Sequence, residues 1–162
     1  MAKIIIVDKN DNPIGLKERG TVDSTNDICR ISNLWITNSK DQVLLAQRKM
    51  NKKHNPGKWE PAVGGSNEEG ETYESNIYKE AKEEIGLVDH KFTEGEKIFI
   101  PLPNKKFCQT FYLQLDKPIE YFKIQEEEVE QIKWFSKEEL GNEVKTHPDN
   151  FTPLVHKLMR NE

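Results

Sequence analysis

The sequence predicts a fold that contains both helices and strands, α/β in the broad sense and of the α+β class. We expect an α/β sandwich built around a mixed β-sheet. Short stretches of β-branched and apolar residues separated by turn signals recur along the chain, and only a few segments have the helical period. With 162 residues, of which 35% are hydrophobic and 32% charged, the chain can bury a real core without exceeding one ordinary domain. We therefore expect residues 1–162 to form a single domain.

The predicted strands are short runs of apolar and β-branched residues bounded by Gly, Pro, Asn or Asp. A tight turn is expected at residues 8–15 and another at residues 38–41, because both are rich in turn-forming residues. A basic loop is expected at residues 49–58. The strands themselves are predicted at residues 3–7, 30–37, 42–46, 59–63, 97–100, 107–115 and 130–135.

Three helices are predicted. Residues 72–85 contain no helix breaker, Thr72 suits the N-cap, and apolar residues recur every fourth position, at Ile77, Ala81 and Ile85. Ser136 caps a second helix through residue 140, with a glutamate at the capping-box position. Residues 151–159 form the third, with a proline near its start.

The first of these helices carries three carboxylates on one face. Glu80, Glu83 and Glu84 stand at i, i+3 and i+4, a spacing that brings side chains together on a helix. Three like charges on one face repel one another, and a divalent cation would turn that repulsion into ligation. Hard oxygen ligands that converge on one point suit Mg²⁺ or Mn²⁺.

The spacing extends over a longer segment. Gly65 is followed six residues later by Glu71, and eight residues beyond that by Lys79; the series then continues with Glu80, Ala81, Glu83, Glu84, Gly86 and Leu87. Residues 65–87 thus resemble the Nudix box. Every defined position matches except Lys79, where the family has an arginine that holds a neighbouring glutamate. Lysine keeps the charge but lacks the planar fork of donors.

The resemblance implies a Nudix-type α/β/α sandwich around a mixed β-sheet and a site for Mg²⁺ or Mn²⁺. By that resemblance the metal ligands are the backbone carbonyl of Gly64 and the carboxylates of Glu80, Glu83 and Glu84. A glycine at residue 64 lets the backbone approach a metal closely. Three further residues of the box, Gly65, Glu71 and Lys79, would support the site. Of these, Glu71 would brace the loop through Lys79.

The general base varies in this family and is left open here. It comes either from the box, where Glu83 and Glu84 are the candidates, or from a later loop. In that loop the acidic run 126–128 lies shortly before Trp134, and counting back from this tryptophan makes Glu128 the best match to the family. For phosphate binding, Arg48 and Lys58 are the candidates, since both belong to or flank the basic loop and an arginine can hold phosphate oxygens with two bonds.

Further stretches, at residues 7–15, 43–65 and 150–158, resemble the branch of the family related to isopentenyl-diphosphate isomerase. Those isomerases carry a catalytic cysteine in a Cys-Cys-Ser-His stretch just before a degenerate box. Here the same region reads PAVGGS, the box is nearly complete, and Cys29 and Cys108 lie far away in sequence. We therefore expect hydrolysis of a diphosphate linkage in a nucleoside diphosphate linked to another group. An isomerase and a non-catalytic nucleotide-binding module are the alternatives.

Composition narrows the classes of partner. A net charge of −4 argues against a general nucleic-acid-binding surface, so a small diphosphate is the expected partner rather than a nucleic-acid polymer. No apolar run is long enough to cross a membrane, and the first residues do not have the form of a signal peptide. Two cysteines suit a reducing compartment. We expect a cytoplasmic monomer or homodimer.

Overall fold

The computed structural model describes residues 2–160; residues 1, 161 and 162, which the single-domain prediction includes, lie outside the described residues. Over residues 2–160 the chain forms nine strands and three α-helices. The strands are β1 (Lys3–Val7), β2 (Pro13–Glu18), β3 (Ile28–Thr37), β4 (Gln42–Arg48), β5 (Trp59–Pro61), β6 (Val63–Ser66), β7 (Thr93–Ile100), β8 (Lys106–Gln114) and β9 (Val129–Ser136). The helices are α1 (Tyr73–Ile85), α2 (Lys137–Thr146) and α3 (Pro153–Arg160).

The long strand β3 organises the sheet. Along one edge it pairs in parallel with β8 over its last nine residues, from Cys29 to Thr37. Along the other edge it pairs in turn with β1, β6 and β4, always antiparallel. Strand β4 continues the sheet to β5 and β9, while β8 continues it to β7. One parallel pair among antiparallel ones makes the sheet mixed, which confirms the prediction.

Helices cover both faces of this sheet. Ile77, Ala81 and Ile85 of α1 are fully buried in one apolar cluster with strand residues such as Leu34. Leu140 of α2 and the apolar residues of α3 join a second cluster on the opposite face, around Trp35. The arrangement is the predicted α/β/α sandwich, and among residues 2–160 the box helix is the only α-helix in the first cluster.

Helix α1 begins and ends where its sequence dictates. The Thr72 side chain accepts a hydrogen bond from the Ser75 amide at 3.0 Å, and the Ser75 hydroxyl accepts one from the Thr72 amide at 2.9 Å. This reciprocal capping confirms Thr72 as the N-cap. At the other end Gly86 has φ +67°, a left-handed conformation that an L side chain rarely adopts. The glycine of the box at this position therefore ends the helix.

Several boundaries differ from the sequence prediction. The turn predicted at residues 8–15 ends early, because β2 already pairs with β1 from Pro13. Residues 59–63, predicted as one strand, form two strands that bend at Ala62. Helix α2 continues to Thr146, six residues past its predicted end, because Gly141 and Asn142 are tolerated inside it. Each difference lies where local propensity is weak and tertiary contacts decide.

The N-terminal hairpin is anchored beside the start of α1. Asp11, at the hairpin tip, accepts hydrogen bonds from Arg30 at 2.8 Å, Lys97 at 2.6 Å and the Tyr73 hydroxyl at 2.9 Å. Burial of this carboxyl raises its pKa, but these three donors outweigh burial and hold the pKa of Asp11 below its ordinary value. The cluster ties β1–β2, β3, β7 and α1 together and so fixes the box helix on the sheet.

Candidate active site

The box folds into a strand, a loop and a helix that face one another. Gly64 and Gly65 lie on β6, residues 67–72 form the loop, and the glutamates lie on α1. The Gly64 amide donates a hydrogen bond of 3.0 Å to Glu84 Oε1. A Cβ placed on Gly65 would lie 2.4 Å from Glu80 Cδ, so a larger residue here would displace this carboxylate from its position. The two glycines therefore form a cradle into which Glu80 and Glu84 fit.

Burial strongly disfavours the ionised form of these two carboxyls. Glu80 has 17% of its side chain exposed, and burial raises its pKa to about 7, with a contribution from the Glu83 charge and opposition from Lys79. The pKa of Glu84 lies well above its ordinary value, first because of burial and also because of the Glu60, Glu80 and Glu128 charges. A cation between these groups would relieve both effects.

Lys79 braces the loop of the box. Its Nζ lies 2.7 Å from Glu68, 2.8 Å from Glu71 and 3.7 Å from Glu80. Burial lowers its pKa, yet the bonds to Glu68 and Glu71 dominate and raise it above the ordinary value. Glu71 also accepts hydrogen bonds from the Glu68 amide at 2.7 Å and from Asn76 at 3.1 Å. The structure thus brings Glu71 and Lys79 together in the loop, whereas Gly65 lies against Glu80.

The remaining box carboxylate, Glu83, is exposed and has no hydrogen bond or ion pair to another residue in the range 2–160. Over that range no three His, Cys, Asp or Glu side chains already converge closely enough to hold a metal ion. The hydrogen bond from the Gly64 amide holds the Glu84 carboxylate at β6. The donor set nevertheless fits a hard divalent cation, since it combines oxygen ligands on one helix face with a glycine cradle beside it.

The acidic loop before β9 reaches the C-terminal turn of α1. The Gln125 amide donates to the Glu84 carbonyl at 2.8 Å, and the Glu128 amide donates to the Gln125 carbonyl at 3.0 Å. The Glu128 side chain forms an ion pair with Lys52 of the basic loop. Glu128 is therefore brought to the same region as Glu84, whose pKa its charge helps to raise.

The candidate phosphate-binding residues are both at the basic loop but in different surroundings. Arg48 ends β4, and its guanidinium bonds to the Glu60 carboxylate at 3.1 and 3.2 Å and to the His54 carbonyl at 2.9 Å. Lys58 is half-buried, and its ammonium forms no ion pair with any residue from 2 to 160. Lys58 therefore has its charge available, whereas Arg48 is already held.

Sequence reasoning missed three residues of this region. Glu68 shares Lys79 with Glu71, Glu60 pairs with Arg48, and Lys52 pairs with Glu128. Only Glu60 left a signal, because it is a charged residue within a short strand between a tryptophan and a proline. The other two belong to runs of like charge in which no single residue stands out.

The cysteines lie outside this site. Cys29 is half-buried on β3 and Cys108 is fully buried on β8, and both thiols are free. Burial raises the pKa of Cys108 to about 11 and raises that of Cys29 as well, with help from the Asp27 charge. Both thiols are therefore held in their unreactive protonated form at neutral pH.

No helix among residues 2–160 is long and apolar enough to cross a lipid bilayer.

The chain resembles known proteins over most of its length. It is 31% identical over 151 residues to a prenyl-diphosphate phosphatase of Methanosarcina mazei, covering 92% of this chain and 88% of that one. It is 28% identical over 143 residues to an uncharacterized Nudix hydrolase of Pseudomonas aeruginosa, covering 88% and 83%. It is 26% identical over 162 residues to isopentenyl-diphosphate Delta-isomerase 2 of Photorhabdus laumondii, covering 96% and 89%.

Solved structures agree on the fold. A protein from Deinococcus radiodurans superposes with a TM-score of 0.84 over 98% of both chains at 21% identity. A MutT protein from Methanosarcina mazei superposes with a TM-score of 0.69 at 19% identity, covering 83% of this chain and 91% of that one. The model of the NUDIX domain matches residues 30–157, which include the whole box and most of the sheet. With its glycine cradle, its glutamate helix and this match, the chain belongs to the Nudix family.

Proposed function

We propose that this protein is a divalent-cation-dependent hydrolase that cleaves the diphosphate linkage of a small molecule. The observation that carries the proposal is the pair of half-buried carboxyls, Glu80 and Glu84, packed against Gly64 and Gly65 with raised pKa values. A fold gains nothing from two ionisable groups that it keeps from ionising, whereas a cation site needs them there. Glu80, Glu83, Glu84 and the Gly64 carbonyl would hold Mg²⁺ or Mn²⁺.

The roles of the residues follow from their positions. A divalent cation, when bound, would neutralise the negative charge on the phosphate oxygens. Lys58 and Arg48 bind the phosphate groups from the basic loop. Glu128, or alternatively Glu83 or Glu84 from the box, accepts a proton from the attacking water. As the water oxygen bonds to one phosphorus, the bond from that phosphorus to the bridging or ester oxygen breaks, and the leaving group departs with the electron pair.

Two substrate classes are worth separating. The sequence favours a nucleoside diphosphate linked to another group. The Methanosarcina mazei relative, whose name gives prenyl diphosphates as its substrates, raises a prenyl diphosphate as the second class. Both present the same diphosphate to the box and differ in what lies beyond it, an aromatic base and sugars in one and an apolar chain in the other.

Isomerisation of isopentenyl diphosphate is the competing reaction, because several relatives are isomerases. Against it stands the segment from Pro61 to Ser66, which contains no cysteine, together with the protonated thiols of the half-buried Cys29 and the buried Cys108. A non-catalytic nucleotide-binding module is disfavoured because such a module has no need of buried carboxylates. We further propose that the protein acts in the cytoplasm on small molecules, as a monomer or homodimer.

One screen tests these proposals. The purified protein is incubated with Mg²⁺ or Mn²⁺ and with nucleoside diphosphate sugars, dinucleoside polyphosphates or prenyl diphosphates. Phosphorus NMR in ¹⁸O-labelled water identifies the bond that breaks. We expect metal-dependent turnover of one class, a large loss in Glu84→Gln, and no loss in the control Glu138→Gln, an exposed residue of α2. Deuterium exchange into isopentenyl diphosphate without phosphate release would instead establish an isomerase, and binding without any turnover a sensor module.

A further inference from the structure

Arg48 is held by two different acceptors on two of its three nitrogens. Its Nε donates to the His54 carbonyl at 2.9 Å, and its Nη1 donates to both oxygens of Glu60, at 3.2 and 3.1 Å. Its Nη2 makes no hydrogen bond to any other residue in the range 2–160. A guanidinium has five N–H donors in a rigid plane, so fixing two nitrogens fixes the direction of the third. The N–H groups of Nη2 therefore have a fixed direction and are free to donate hydrogen bonds to a ligand.

Glu60 holds Arg48 from the face of the sheet that carries the box helix. In the antiparallel pairing of β4 with β5, Glu60 stands directly opposite Ala46. Directly opposed residues point to the same face of a sheet, and Ala46 packs in the apolar cluster that contains Ala81 of α1. The Glu60 carboxylate therefore lies on the same face as Glu84, in agreement with the contribution of its charge to the raised pKa of Glu84.

The ion pair of Arg48 and Glu60 is not needed to fill the space that it occupies. Arg48 and Glu60 have 21% and 29% of their side chains exposed, so both charges are largely removed from water. A pair of this kind costs desolvation that roughly cancels its attraction, and an apolar pair of similar size would fill the same space. The pair does, however, supply orientation, because an arginine bound on two nitrogens loses the rotational freedom of its long side chain before any ligand arrives.

We propose that Glu60 is a positioning residue, which holds Arg48 so that its Nη2 edge binds a phosphate oxygen of the substrate. The proposal rests on the proposed function, since it requires an anionic diphosphate beside the box. It makes a prediction with a definite sign. On charge alone Glu60 weakens the binding of an anion, and its neutralisation should tighten that binding. If Glu60 acts through position, its neutralisation weakens the binding instead.

The test is a double-mutant cycle of Glu60→Gln, Arg48→Gln and the double variant. We expect Glu60→Gln to raise KM, and the Kd for inorganic pyrophosphate, about tenfold while kcat changes less than about threefold, since a charge-assisted hydrogen bond is lost and the chemical step is not. Because Glu60 acts only through Arg48, the double variant should match Arg48→Gln alone. Glu139→Gln is the matched control, since Glu139 also pairs with a cation, Lys133 at 2.9 Å, but these two side chains are 41% and 47% exposed.

Calorimetry with inorganic pyrophosphate and Mg²⁺ separates this inference from the proposed function. Absence of turnover in the wild type would refute the hydrolase, while the pyrophosphate affinities would still decide the role of Glu60. An unchanged or tighter affinity in Glu60→Gln, effects that multiply in the double variant, or no pyrophosphate binding by the wild type would each overturn the inference. Thermal melting checks folding, and the double variant leaves no buried charge unpaired, so it keeps the comparison valid if Glu60→Gln is unstable.

Discussion

Removal of the Glu80 charge should stabilise the metal-free protein in a manner that depends on pH. The pKa of Glu80 is raised from an ordinary 4.5 to about 7, chiefly by burial. The folded protein therefore binds this proton more tightly than the unfolded chain does. Well below pH 4.5 both states are protonated and no stability is lost. As the pH rises toward 7 the unfolded state ionises first, so the free energy of unfolding falls, and the full loss is present above pH 7.

The size of the effect follows from the same values. The difference between 4.5 and about 7 corresponds to about 3 kcal/mol at most. Since relaxation of the side chain toward water reduces this limit, we expect Glu80→Gln to stabilise the metal-free protein by about 1–3 kcal/mol at pH 8. For a domain of this size the melting temperature should rise by roughly 3–10 °C. At pH 4.5 the shift should nearly vanish, because Glu80 is then protonated in the folded protein and only half ionised in the unfolded chain.

The assay is thermal melting followed by circular dichroism, in EDTA, at the two pH values. Glu74→Gln is the matched control, because Glu74 is an exposed glutamate of the same helix. With Mg²⁺ added at pH 8 the order should reverse, since the wild type gains the binding energy of the cation and the variant loses a ligand. Destabilisation by Glu80→Gln in EDTA at pH 8, or an equal shift at both pH values, would refute the reasoning.

Three other results are expected. Glu83→Gln and Glu84→Gln should each lower kcat about a hundredfold or more while the protein stays folded, because each removes a charged ligand and nearly preserves shape; wild-type rates in either variant would remove that residue from the site. Lys79→Arg should keep or raise activity, whereas Lys79→Ala should lose activity and about 1 kcal/mol of stability, since it removes the cation that pairs with Glu68 and Glu71; an unchanged rate and melting temperature would make the position a solvated surface site. The double variant Cys29→Ala, Cys108→Ala should keep its diphosphatase activity, while EDTA should abolish it and Mg²⁺ restore it; a folded but inactive double variant that EDTA leaves unaffected would contradict the hydrolase.

Much of the fold followed from local sequence. Helix α1 was predictable to within a residue because Thr72, the stripe of Ile77, Ala81 and Ile85, and the break at Gly86 all act within a few turns of one segment. Strand β1 was predicted with its exact bounds for the same reason. Strand β2 was not, because its residues are exposed and turn-like, and only pairing with β1 makes them a strand.

The candidate site divides along the same line. The i, i+3, i+4 spacing places Glu80, Glu83 and Glu84 on one face whatever surrounds the helix. The resemblance implied that Gly64 and Gly65 belong to the site, but their contacts with Glu84 and Glu80 depend on how α1 packs on β6. Whether these residues bind a cation stays a prediction that the experiments above decide.

The sequence by itself determined helix α1, its caps, its acidic face and which residues belong to the box. Each of these depends on residues within about twenty positions of one another. Only the tertiary structure decided which charges meet. Glu60 faces Arg48 because of the register of β4 with β5, and Glu128 meets Lys52 across 76 positions of sequence. Ion pairs between distant segments follow from how strands and loops pack together, and no local pattern encodes that packing. The partners of Arg48 and Glu128 could therefore not be predicted from the sequence alone.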